Sequence, residues 1–129
     1  MNEPLTPADC EQRLRALVNA MTRAQSELRD ARDTEVNLRH EYEAAKRRAF
    51  LSADCPKPTR GGHTVADRDV WVDDRCADEQ RAFDIATTRR EAARDYLNVI
   101  RDQATVVMAL LRSVNTAFSL SGTSQHEGV

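Results

Sequence analysis

Apolar residues recur along the first half of the chain at alternating steps of four and three: Cys10, Leu14, Leu17, Met21, Ala24, Leu28, Ala31, then Leu38, Tyr42, Ala45 and Ala49, with Glu35 in the one charged slot. A second run keeps the same rhythm through Val72, Cys76, Phe83, Ala86, Ala93, Leu97, Ile100, Ala104, Val107, Leu111, Val114 and Phe118, with Glu79 and Arg90 interposed. This is the a/d spacing of helices that bury one seam against each other. Only Glu35, Glu79 and Arg90 interrupt the two seams, in places where a charge is a register device or a gap where water enters.

The ends of these runs carry matching start and stop signals. Thr6 precedes Pro7 and stands three residues before Asp9, and Thr64 stands three before Asp67. Each pair has the form of an N-cap with a carboxylate beside the free amides. No Gly or Pro falls between Pro7 and Pro56, and the prolines at 56 and 58 disfavour helix just before them. The pattern predicts an all-α chain: a long antiparallel helical hairpin of coiled-coil type, oligomeric. It comprises an N-terminal extension over 1–5 and one domain over 6–121. That domain holds a helix over about 7–52, a tip loop over 53–63 and a helix over about 64–120. A disordered tail follows over 122–129. The second helix is expected either to run unbroken or to have its C-terminal part broken off as a third helix. A fold-back centred near Pro58 would set Glu35 near Arg81, and Arg90 near Ser26 and Glu27.

Beyond Tyr96 the apolar residues outgrow one seam. Val99, Val106, Met108, Leu110, Ala117 and Leu120 widen the stripe past what a single partner helix covers. That width points to self-association, with Leu97, Ile100, Val107, Met108, Leu110, Leu111, Val114 and Phe118 as the expected oligomer contact. A third helix folding back over the stripe is the other way to cover it.

Composition changes this picture little. Charged residues make up 31% and aromatics 5% of 129 residues, which suits solvated helices better than a deep globular core. The cysteines Cys10, Cys55 and Cys76 are odd in number and far apart, and no Cys or His pair has metal spacing. Cys10 and Cys76 belong to the seams, whereas Cys55 in the loop is the one expected to react. The N-terminus lacks the apolar core of a signal peptide, and the stretch over 104–111 is shorter than the ~20 residues of a membrane span. A cytoplasmic protein with no membrane partner is expected.

Charge patterning supplies the candidate chemistry. Lys46, Arg47, Arg48, Lys57, Arg60 and Arg68 converge on the predicted tip with Trp71 nearby, a combination suited to phosphates and an unpaired base. The same pattern also fits a solvated face with Trp71 packing the end of the hairpin. Asp69, Asp73, Asp74 and Asp78 read as a solvated acidic face rather than a cation site. No P-loop, glycine-rich dinucleotide turn or nucleophile elbow is present, so no enzyme and no cofactor is expected.

The segments Glu41-Tyr42-Glu43, Ala49-Phe50-Leu51-Ser52-Ala53 and Thr64-Val65-Ala66-Asp67-Arg68, followed by Leu111-Arg112 and Phe118-Ser119-Leu120, resemble small helical proteins encoded by tailed phages of high-GC bacteria. Their layout is similar to that of phage recombination mediators of the UvsY type. The resemblance implies a non-enzymatic accessory protein of DNA recombination or replication in the host cytoplasm. It would bind single-stranded DNA, or a recombinase or single-strand binding protein, and also itself. With a net charge of −2 and no long basic stripe, the chain departs from that family, which makes partner binding a more robust expectation than direct DNA binding. The alternative is a structural or interaction coiled coil, an assembly factor or host-protein inhibitor, without a nucleic-acid role. A secreted WXG-type hairpin is excluded because Asp73, not Gly, stands two residues after Trp71.

Overall fold

In a computed structural model that describes residues 5–127, the regular structure is all α-helical: α1 (Pro7–Leu51), α2 (Val65–Arg75) and α3 (Ala77–Glu127), with a loop over 52–64. Both expected caps form. The Thr6 N–H donates to Asp9 Oδ2 at 3.1 Å, and the Asp9 N–H donates back to Thr6 Oγ1 at 3.2 Å. Thr64 and Asp67 repeat the exchange at 2.8 and 3.1 Å, each pair satisfying two amides that the first helical turn leaves open.

Two expectations for the second run need correction. It is broken near its start rather than near its end: Cys76 caps α2, and its N–H is shared between the carbonyls of Val72 at 3.1 Å and Asp73 at 3.3 Å. Gln80 N–H then returns to Cys76 O at 2.9 Å and opens α3. Asp78 and Glu79, part of the acidic run, thus occupy the first turn of α3, where negative charge is favoured. The helix also continues past the expected end at 120. One glycine, Gly122, costs only about 1 kcal/mol in a helix and no proline follows it. Residues 128–129 of the expected tail and 1–4 of the expected extension lie outside the described residues.

Contacts divide the chain into two units. One pairs the described residues of α1 through Glu27 with α3 from Arg94 onward. Its interior is Cys10, Ala24, Leu97, Ile100 and Val107, with Leu14, Leu17, Met21, Leu111 and Val114 partly shielded. All are seam residues, so the heptad pattern located this core. One 18-residue window within Ala77–Ser121 reaches a mean hydropathy of 1.2 and is only 6% buried, which by length and composition is enough to cross a membrane. That is longer than the apolar stretch over 104–111 suggested.

The other unit, Leu28–Ala93, holds the rest of α1, the loop, α2 and the start of α3. Ala45, Ala49, Cys55, Val72 and Cys76 form its core, with Trp71 packed against them. Alanines at the seam let the helix backbones approach closely, and the loop folds under to close the gap. The Cys55 N–H bonds to Ser52 O at 3.1 Å, which turns the thiol inward. Cys55 is therefore buried and not the exposed reactive thiol expected of a loop residue. Burial, more than the nearby Glu79 and Asp73, also raises the Cys76 thiol above its ordinary pKa.

Reversal of the chain is made by glycine, not proline. Gly61 takes φ +80°, a left-handed conformation that costs an L-residue energy, and the Thr59 N–H closes the turn on His63 O at 3.1 Å. Within this unit Tyr42 meets Phe83 edge-on with ring centroids 6.2 Å apart, and Glu35 meets Arg90. Both pairs are centred between Gly62 and His63, not on Pro58. The expected partners of Glu35 and Arg90 are thereby corrected: they bind each other.

Candidate functional site

The basic residues around the loop separate into two groups. Lys46 and Arg68 are held against aromatic rings: Lys46 Nζ lies 5.7 Å from the Tyr42 ring centre, and the Arg68 guanidinium 4.8 Å from that of Phe50. Arg68 Nε also stands 3.6 Å from Asp69 Oδ1. Arg47, Arg48, Lys57 and Arg60 are exposed and form no ion pair among the described residues. Arg48 lies in the last turn of α1, where a cation offsets the helix dipole.

Trp71 is not an open stacking platform. Its ring is half-buried on the core of Ala45, Ala49, Cys55, Val72 and Cys76, and the Arg75 guanidinium covers it at 5.4 Å. The aromatic that stands out is Phe50, 44% exposed, in a shallow cleft with Glu43, Lys46 and Arg47. A second shallow cleft joins Lys46 and Phe50 to Asp69, Val72 and Asp73. Carboxylates thus border Lys46 on the α2 side. Phe50 was within reach of the sequence: it sits one position past the seam residue Ala49, where an apolar side chain turns outward.

A separate apolar surface lies in the unit of residues through Glu27 and from Arg94. Leu97, Ile100 and Val107, expected at an oligomer contact, are buried against α1 by the chain itself, and Leu111 and Val114 are partly covered in the same way. Their seam spacing explains this, because one face cannot serve α1 and a second chain together. Met108, Leu110 and Phe118 are exposed, as are Tyr96, Val99, Val106 and Leu120. Between α1 and α3 runs a groove of about 610 Å³ lined mainly by Ala16, Leu17, Val99, Val106, Val107 and Leu110.

Two seam charges form the best-defined polar contact. Arg90 Nε donates to Glu35 Oε2 at 2.7 Å, and the Arg90 guanidinium holds the Glu35 carboxyl below its ordinary pKa against the opposing effect of burial. Glu35 in turn raises the pKa of Arg90. Asp9 and Asp67 are lowered by the backbone N–H bonds of Thr6 and Thr64. Each of these shifts belongs to a structural contact. Among the described residues no group of three His, Cys, Asp or Glu side chains is arranged to hold a metal ion.

Comparison with protein-family models, with curated proteins and with solved structures finds no match to this chain.

Proposed function

We propose that this chain is a non-enzymatic accessory protein of phage DNA recombination or replication. It is an oligomeric antiparallel helical hairpin that binds single-stranded nucleic acid, or an acidic face of a recombination partner, in the host cytoplasm. The observation that carries the reading is the set of four exposed cations, Arg47, Arg48, Lys57 and Arg60, that form no ion pair among the described residues, with Arg47 sharing a cleft with the exposed Phe50. Cations without carboxylate partners can replace the counterions of a phosphate backbone, and the part of the Phe50 ring that the Arg68 guanidinium leaves uncovered can meet a base. Phage origin rests on the resemblance of the Glu41–Leu120 segments.

Oligomerisation is supported by the apolar side chains of α3 that the chain leaves uncovered. The clefts of Glu43, Lys46, Arg47 and Phe50 and of Lys46, Phe50, Asp69, Val72 and Asp73 are shallow and neither joins a nucleophile to a base, so catalysis is not part of the reading.

The alternative, a structural or interaction coiled coil without nucleic acid, draws on the Asp69 and Asp73 carboxylates beside the basic surface. Fluorescence anisotropy of a labelled oligothymidylate at low salt separates the two. Binding that weakens with salt and is lost on Arg47→Ala with Arg60→Ala supports the first. A nuclease-resistant protein complex with no oligonucleotide binding supports the second.

A further inference from the structure

The uncovered residues of α3 are not scattered. Val99, Gln103, Val106, Leu110, Ser113 and Ala117 follow one another at steps of four and three, and Leu120 extends the series. All seven are exposed. This is a second heptad seam, turned by about a quarter of the helix circumference from the one that meets α1. It flanks the groove that Val99, Val106 and Leu110 share with Ala16 and Leu17 of α1.

We propose that this seam is occupied by a second copy of the chain, with the two α3 helices antiparallel about a two-fold axis level with Met108. The inference deepens the self-association in the reading above and rests on it. An axis there sets Val106 against Leu110 of the second copy and, by symmetry, Leu110 against Val106. The next layers pair Val99 with Ala117 and Tyr96 with Leu120, so each small or medium side chain meets a complementary one. Gln103 falls opposite Ser113, and a Gln amide is long enough to bond a Ser hydroxyl across the seam. A parallel pair would instead stack Ala117 on Ala117, leaving a gap, and Ser113 on Ser113, two hydroxyls too short to meet.

Charge and area favour a second copy over a different partner. From Tyr96 to Ser121 only Arg101, Asp102 and Arg112 are charged, and the groove beside the seam carries one charge of each sign, Arg13 and Asp102, so the surface offers little net charge for a charged partner to read. The exposed parts of Tyr96, Val99, Val106, Leu110 and Leu120 amount to on the order of 500 Å² per copy, so a two-fold contact that covers them buries on the order of 1,000 Å², the least that a specific interface clears. An antiparallel two-fold pair closes on itself and leaves no face open for further growth.

Light scattering on the full chain at tens of micromolar, together with disulfide trapping, tests this. Val99→Cys and Ala117→Cys chains are prepared separately, oxidised alone and then oxidised as a mixture, with the parent chain and its three buried cysteines as control. The expected result is twice the chain mass, a Val99→Cys/Ala117→Cys crosslink in the mixture and none in either chain alone. Val106→Glu should give a monomer with unchanged helical circular dichroism. A dimer in which Val99→Cys crosslinks to itself overturns the antiparallel arrangement but leaves self-association standing. A monomeric parent chain overturns both, and monomers that float with phosphatidylglycerol vesicles would assign the seam to a lipid surface instead. Oligonucleotide binding is read separately, so neither failure is confused with loss of the nucleic-acid role.

Discussion

Arg90 donates its Nε–H to Glu35 Oε2 at 2.7 Å across two helices, with the side chains only 24% and 16% exposed. The partners are 55 residues apart and sit in seam positions that otherwise carry apolar or small side chains. A half-buried ion pair at a seam fixes register more than it adds stability, because desolvation offsets much of the attraction. Glu35→Leu and Arg90→Leu should each lower the melting temperature, since the first leaves the shielded Arg90 with only its 3.9 Å contact to the exposed Glu91 and the second leaves the Glu35 carboxylate without its guanidinium. The double variant should recover most or all of that loss. Equal, additive losses in the double variant would show that the two charges are not coupled.

Acid should loosen the fold in a definite pH window. Glu35, Asp9 and Asp67 all have folded-state pKa values below their ordinary ones. A carboxyl whose pKa is depressed by folding adds stability above its unfolded pKa and loses it as pH falls through the folded value. Denaturant unfolding should therefore be flat near neutrality and decline as pH drops through and below the normal carboxylate range. Arg90, raised by Glu35, stays charged throughout that window and adds no slope. In Glu35→Gln the acid decline should be shallower; an unchanged profile would remove Glu35 from the account.

At the turn, Gly61 has φ +80° and open space where a Cβ would stand. Gly61→Ala should destabilise by about 1 kcal/mol through backbone strain alone, and Gly61→Asn by less. At Gly62 the geometry differs, because a Cβ would run into Thr59 Oγ1. Gly62→Ala therefore acts by displacing a side chain. Chemical unfolding of the three variants distinguishes the two mechanisms.

All three thiols are buried, including Cys55 in the loop. Labelling by a thiol reagent under native conditions should be limited by opening of the chain rather than by the reagent. Cys76, whose pKa burial raises, should be the slowest of the loop-proximal pair. Rapid native labelling of Cys55 would mean that the loop does not close over Ala49 and Val72.

The seams were legible because a 4-3 apolar rhythm has one physical solution. Every seam position from Cys10 to Ala49, and from Val72 to Val114, is shielded from solvent wholly or in part. Both caps were legible for the same local reason. The register was not, because prolines end a helix without setting where the chain reverses, and here Gly61 makes the reversal. Nor was the break at Cys76, which occurs without Gly or Pro and rests on one shared N–H bond. Among the candidate site residues, charge clustering located the unpaired cations but could not reveal that Trp71 faces the core or that Phe50 faces out. The wide apolar stripe of α3 resolves into two seams: of the contact residues expected from its sequence, Leu97, Ile100, Val107, Leu111 and Val114 belong to the one covered by α1, whereas Leu110 lies on the other and Met108 and Phe118 stay exposed.

The nucleic-acid role is tested most directly by the salt dependence of oligothymidylate binding. Each phosphate contact on a single strand contributes a slope of about −0.7 in log K against log salt. Contacts from Arg47, Arg48, Lys57 and Arg60 together predict a slope of about −3, and Arg47→Ala should make it shallower by about 0.7. Absence of binding at low salt, or a slope that Arg47→Ala and Arg60→Ala leave unchanged, would contradict the account.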